Sequence, residues 1–466
     1  MKASIKITGV LTILMSFLTS CEDFLEVEAP DHKVVSEVVF NNEETALSAM
    51  TGIYNQLLIA SFSNGGFDSV TVLSGLSADD LTTIRTTNLT YREFELHEVQ
   101  PSNPRNLNLW SSAYKIIYMT NALLEGIESS ENISEDIRIR LEGEAKFVRA
   151  FTYFYLVNLY GGVPMILTTD YRVNTLAARD SEEQIYQLII DDLQIAADVL
   201  GNDYFQEGRT HVNRYTAVAF LARVNLYLEN WEQAEALSSQ IIANNEKFEI
   251  LENLDEVYLA NSREAIWQLS PTGGGTFFTN TNEGSTFIIH PFFSVLSHLK
   301  LTENFVKSFE SEDNRLTHWV NFHSGLSVYY PFKYKIKNSS DAVTEYSMVL
   351  RLAEQYFIRA ESRAMLDNLQ GAIADLDRIR GRAGLELLAD ANPEIEKEDL
   401  LIKIIEERKK ELFAEWGHRW LDLKRTGTAG EILDIQNPMW QDTDVLYPIP
   451  ESERLKNPNL TQNDGY

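Results

Sequence analysis

Among these 466 residues there is a single cysteine, Cys21. One thiol makes no intramolecular disulfide and cannot supply the sulfurs of a zinc or iron–sulfur cluster. Positive charge is also short: 40 Lys and Arg stand against 69 Asp and Glu, a formal net charge of −29. Affinity for a phosphate backbone is built mainly from Lys and Arg, so this balance argues against nucleic acid as a partner. After the N-terminus no apolar run approaches the ~20 residues that span a bilayer. Catalytic signatures are missing too. There is no Gly-x-Ser-x-Gly elbow, no His-Glu-x-x-His zinc helix, no phosphate loop ending in Gly-Lys-Ser or Gly-Lys-Thr, and no calcium-hand loop. Gly273-Gly274-Gly275 lacks the lysine and helix of a phosphate cradle and reads as a flexible run. Hydrophobic residues make up 44% of the chain, enough for one large core or two to three domains, so it is neither disordered nor fibrous.

The N-terminus reads as an address. Lys2 and Lys6 precede a mostly apolar run from Ile7 to Leu18, about half the ~20 residues of a spanning helix, which suits a cleaved secretory signal over residues 1–20. Its end, Leu18-Thr19-Ser20-Cys21, resembles the bacterial lipobox, in which the cysteine becomes the mature N-terminus and carries acyl chains on its sulfur and amine. The alternative is an ordinary signal peptide that ends in cysteine. Several acyl chains would hold a water-soluble body on a bilayer at ~0.8 kcal/mol per buried methylene. Loss of two lysines leaves 38 − 69 = −31, so such a body would not adhere to anionic lipid by charge alone. Residues 21–35 form an acidic, proline-containing tether.

Helical spacing dominates residues 36–250. Ala46, Met50, Ile53, Tyr54 and Leu57 fall on one face, long helical patterns run from Leu107 to Ile127 and from Ser134 to Tyr160, and another covers Glu182 to Leu200. Gly161-Gly162-Val163-Pro164 is a helix stop, because glycine accepts the left-handed cap and proline cannot continue the ladder. Ala222, Trp231 and Ala234 recur 138 residues later as Ala360, Leu369 and Ala372. Small residues twelve apart with a large apolar residue between them look like the tetratricopeptide hairpin, where two helices approach closely and a plug fills the turn.

Residues 251–348 differ. They hold 16 of the 50 aromatic residues, interleaved with Gly, Ser, Thr and Asn, and read as a loop-rich insertion on a helical frame. Flat side chains on loops stack on the apolar faces of sugar rings, so this is the candidate ligand surface, with Phe67, Phe277, Trp319, Tyr329 and Tyr330 singled out because turn residues flank them. Asp79-Asp80 reads as a cap or a solvated pair rather than an acid–base dyad. His318 and His323 read as surface or stacking residues.

Helical spacing returns in residues 349–466, through Leu400, Leu401, Ile404, Ile405, Leu412 and Phe413 into Glu411-Leu-Phe-Ala-Glu-Trp-Gly417-His-Arg419-Trp-Leu-Asp422, and the chain ends in a Pro-rich extended strap from Tyr447 to Tyr466. Glu411, Arg419 and Asp422 have the types and spacing for a buried or half-buried charge network joining two helices, with Gly417 permitting the turn. These segments, the lipobox with Glu22-Asp23-Phe24-Leu25, the stretch Trp110 to Asn121, and Glu144 to Ala150 through Pro164 together resemble the SusD/RagB family over essentially the whole mature chain. The family more often has proline where Asp464 stands.

The resemblance implies a mainly α fold of about four tetratricopeptide-like hairpins with an irregular ligand-binding face. It implies a lipoprotein held through Cys21 on the outside of the outer membrane, capturing oligosaccharide and acting as lid on a SusC-like TonB-dependent transporter, with no reaction catalysed and no cofactor. A peptide-binding member of the same family is an alternative. A surface glycoside hydrolase is another, but it needs two carboxylates across a cleft, and no local motif supplies them. The sequence neither requires nor rules out a structural calcium ion.

Overall fold

The computed structural model describes residues 39–205, 208–271, 280–291, 294–339, 341–435, 437 and 439–466. The leader, Cys21, the tether, Gly273 to Gly275 and Phe277 lie outside the described residues.

Helix starts follow local capping chemistry. Asn42 Oδ1 accepts from Thr45 N at 3.0 Å to begin α1 (Glu43–Ile59), and Ser69 caps α2 (Val70–Leu76). Asn103 caps α3 (Pro104–Ser129), which places Pro104 where its missing N–H costs nothing and starts the helix a turn before the hydrophobic spacing does. Ser134 precedes α4 (Glu135–Tyr160), which ends at Gly161 with φ 71°. Capping boxes open α5 (Glu182–Val199) at Ser181 and Gln184, and α6 (Arg214–Tyr227) at Asn213 and Thr216.

After a three-residue turn, α7 (Trp231–Ile242) folds back on α6. Displaced by 138 residues, α8 (Leu352–Met365) starts where α6 would and α9 (Leu369–Arg382) where α7 would. Ala222, Ala234, Ala360 and Ala372 are fully buried, which lets each hairpin close, while Trp231 and Leu369 open the second helix of each and pack on the core. The chain is thus mainly α, built of tetratricopeptide-like hairpins. Each helix from α3 to α9 packs on the next, and α7 packs directly on α8, so the stack continues across the insertion. Next, α10 (Lys397–Leu412) packs on α8 and α9, and α11 (His418–Arg425) follows a left-handed Gly417 at φ 68°.

The described part of 251–348 is stitched to this frame by short antiparallel strands. From the helical region comes β1 (Leu81–Thr83), and from the insertion β2 (Ala265–Leu269), β3 (Leu299–Leu301), β4 (Val320–His323), β5 (Val328–Pro331) and β6 (Ser347–Arg351). Pairing of β2 with β6 zips the two ends of the insertion together, and β6 runs straight into α8. Pairing of β1 with β3 ties its middle to residues 81–83. Most of its described aromatics are buried: Tyr258, Trp267, Phe287, Phe305, Phe309, Trp319, Tyr330 and Tyr334.

Candidate functional site

Among the described residues of the insertion, the hairpin of β4 and β5 carries the exposed aromatics, Phe322 and Tyr329. Its register sets Phe322 opposite Tyr329 and Asn321 opposite Tyr330. Successive strand residues point to opposite faces. Val328 and Tyr330 therefore turn inward to a small satellite core with Ile288 and Ile289, while Phe322 and Tyr329 remain 47% and 40% exposed. Their rings lie 4.9 Å apart at 52°, one apolar platform. Ser327, at φ 55°, and a hydrogen bond from Leu326 N to His323 Nδ1 at 3.1 Å shape the turn.

On its other face β5 leans on β3, whose lead-in residue His298 accepts from Ile84 N at 2.7 Å. Against the edge of the His298 ring stands Phe67, with centroids 5.6 Å apart, 41% exposed beyond the turn at Gly65 (φ 69°). Burial, followed by the nearby Arg105 and Arg85, lowers the His298 pKa, so the imidazole is neutral near pH 7. Arg105 stacks 3.6 Å above the buried Tyr91 ring and pairs with Asp68. Leu89, Val295 and Leu296 are exposed apolar residues of the neighbouring segments.

Two of the residues singled out as ligand contacts are instead interior. Tyr330 is turned inward by strand parity. Trp319 is fully buried, its indole N–H donates to Leu254 O at 3.0 Å, and Lys333 Nζ lies 4.9 Å from its ring centroid. Turn residues flank both, but flanking residues do not say which way a side chain points. The exposed Phe322 and the half-buried His298 complete the group. The register that pairs Phe322 with Tyr329 is hinted at by the Ser324-Gly325-Leu326-Ser327 turn, whereas His298 is placed only by the long-range pairing of β1 with β3.

Around the buried Trp319, just before β4, lies a buried ionic knot, with Lys333, Arg351 and Arg382 over the indole ring. Glu411 accepts from Arg351 at 2.6 Å, from Arg382, and from Arg315 at 3.4 Å. Glu264 joins Arg351 and Arg382, Glu407 joins Arg315 and Arg380, Asp313 joins Arg315, and Glu415 joins Lys333 and Arg351. Burial opposes charge on Glu411, but Arg382, Arg351 and Arg315 outweigh it and hold the carboxyl far below the usual range.

The expected single network of Glu411, Arg419 and Asp422 is divided. Among the described residues no ion pair or hydrogen bond joins any two of them. Asp422 pairs with Arg408 and Arg425 at 2.8 Å each, and Arg419 pairs with Asp79 at 2.6 Å. This corrects the reading of Asp79-Asp80 as a cap or solvated pair, since both are buried. Burial opposes charge on Asp79, yet Arg419 and Lys409 hold its pKa down at about 2, and burial followed by Asp79 pushes Asp80 up to about 6. Residues 411 and 419 belong to different helices with Gly417 turning between them, and Arg419 and Asp422, though both on α11, are drawn to different partners, Asp79 and the Arg408–Arg425 pair.

A cavity of about 860 Å³ lies elsewhere, between Tyr227, Trp231, Met365, Ile402, Ile405 and Ile432 on the helical frame. Among the described residues no group of three or more His, Cys, Asp or Glu side chains is placed to hold a metal.

Comparison with known proteins accords with this architecture. Residues 23–226 match the family described as "Starch-binding associating with outer membrane", and residues 314–466 match the SusD family. SusD-like protein P25 of Formosa agariphila is 24% identical, with 98% of each chain covered. The starch-binding protein SusD of Bacteroides thetaiotaomicron is 23% identical over 73% of this chain and 75% of its own. A SusD superfamily protein from Bacteroides vulgatus superimposes with a TM-score of 0.81 at 21% identity, covering 91% of this chain and 99% of that one. The fold and both halves of the sequence agree, and the chain belongs to the SusD/RagB family.

Proposed function

We propose that this chain is a surface-held binding protein that captures oligosaccharide without transforming it. The observation that carries the reading is the exposed Phe322 and Tyr329 pair, rigidly registered on a hairpin, with His298 at the start of the adjoining ribbon and Phe67 against its ring. Such platforms stack on the apolar faces of pyranose rings, and neighbouring polar side chains select hydroxyls. Binding of starch by relatives supports the ligand class.

In this reading Cys21 is acylated and anchors the protein on the exterior of the outer membrane. The body serves as lid on a SusC-like TonB-dependent transporter and passes the glycan to its barrel. Glu411, Gly417, Arg419 and Asp422 act structurally, holding the frame on which the binding face rests.

Isothermal titration of the purified protein against a panel of oligosaccharides and oligopeptides tests the ligand class. Saccharide binding is expected, with loss of affinity of about tenfold for Tyr329→Ala or Phe322→Ala, equivalent to ~1.4 kcal/mol. Binding of peptides alone, or sustained release of reducing sugar, would overturn it.

A further inference from the structure

The described chain enters the body at one end of α3. Phe40 packs so closely on α3 that a Cβ on Gly126 would stand 2.1 Å from its ring, and Ser130 Oγ donates to Phe40 O at 2.6 Å. One residue before that glycine, Glu125 Oε1 accepts from Thr169 N at 2.8 Å, and its other oxygen accepts from the Thr169 hydroxyl. A rise of ~1.5 Å per residue puts both attachments at the same level of the helix. The loop that follows Thr169 and the point where the N-terminal tether arrives therefore stand at one end of α3, about 100° apart around it.

That loop shows apolar side chains to solvent. Leu167, Tyr171, Val173 and Leu176 are 44%, 73%, 61% and 57% exposed, and none of the four belongs to the hydrophobic core. Its backbone is firmly held: Asn174 Nδ2 donates to Thr168 O at 2.7 Å, and from the C-terminal strap Asn459 Nδ2 donates to Leu176 O at 2.8 Å and Asn457 Nδ2 to Ala177 O at 2.7 Å. The strap, expected to be extended throughout, contains a short helix, Glu451–Lys456, which carries Leu455, 81% exposed and two residues before Asn457. The loop's own charges cancel, since Arg172 pairs with Asp170 at 2.7 Å.

We propose that Leu167, Tyr171, Val173, Leu176 and Leu455 form a docking face for the lipid surface to which Cys21 is anchored, fixing the tilt of the body on the membrane. The inference rests on the acylation reading above. Aliphatic side chains with a tyrosine beside them suit the boundary between headgroups and acyl chains. Local neutrality matters, because the rest of a mature body of −31 is repelled by anionic lipid. From Cys21 to Val39 there are 18 residue-to-residue steps, at most ~65 Å when extended, so the anchor keeps lipid at high effective concentration beside a face that needs little affinity of its own.

The test uses the lipidated full-length chain in phosphatidylcholine vesicles. The acylated Cys21 has no free thiol, so Val173→Cys gives a unique site for a polarity-sensitive fluorophore, with Lys307→Cys as control. Doxyl-labelled lipid is expected to quench the Val173 probe roughly twofold or more and to leave the control unchanged. Adding Tyr171→Ser and Leu176→Ser is expected to abolish the quenching without altering the thermal midpoint. A chain that floats with vesicles yet shows no quenching at Val173 overturns the docking face while sparing the anchor. Shielding of that probe only when a transporter is reconstituted alongside also overturns it, in favour of a protein partner. Failure to float overturns the anchor itself, and the docking face with it.

Discussion

Glu411 shares its carboxylate among Arg351, Arg382 and Arg315, all buried. Glu411→Ala leaves those guanidinium groups uncompensated in the interior, and a loss of ~3–5 kcal/mol in guanidinium chloride unfolding is expected. Tyr329 and Tyr330 provide a contrast between adjacent positions. Tyr329→Ala should weaken saccharide binding with an unchanged thermal midpoint, whereas Tyr330→Ala should lower stability by ~2–4 kcal/mol through loss of core packing. Glu283 supplies a pH test. Burial pushes its pKa up to about 7 from 4.5, against the lowering effect of the Ser347 hydroxyl. Between those two values the folded chain binds more protons than the unfolded chain, so stability falls as pH rises through that window. Glu283→Gln should leave stability unchanged at pH 4 and raise it at pH 8, by at most ~3 kcal/mol. Thermal unfolding of both proteins across the range checks this.

At the scale of elements, the hairpins depend on close approach. Ala222 and Ala360 are fully buried at equivalent places, so Ala360→Leu should overpack the interface and cost ~1–3 kcal/mol in denaturant unfolding. This repeat was legible because close helix contact demands small residues at fixed steps, and the 138-residue displacement of Ala222, Trp231 and Ala234 carries over to the helix starts. The turn between α10 and α11 was legible in the same way, through Gly417. Its φ is 68°, and a Cβ there would stand 2.6 Å from Ser74 Cβ. The partners across that turn were not legible. Asp79 reaches Arg419 from 340 residues away, and no local pattern announces a pair so distant in sequence.

For the molecule as a whole, insertion and frame share one interior. Glu264, Arg315, Lys333 and Arg351 from or bordering the insertion neutralise Glu407, Glu411, Glu415 and Arg382 of the frame. Calorimetry should therefore show one cooperative unfolding transition, and deletion of residues 251–348 should leave no folded frame. Separate transitions for the two parts would contradict that coupling.

Local order was written in the chain itself: helix starts in Asn, Ser and Pro, helix ends in glycine, and the hairpin repeat in paired alanines, because each depends on neighbours within a few residues. The aromatic wealth of 251–348 was equally plain, yet its division into core and surface was not. Strand parity on a hairpin, pairing with β1 from far upstream, and burial against the ionic knot decided that Trp319 and Tyr330 face inward while Phe322 and Tyr329 face out. Orientation of a side chain depends on which distant segments cover it, and that is settled only when the whole chain has packed.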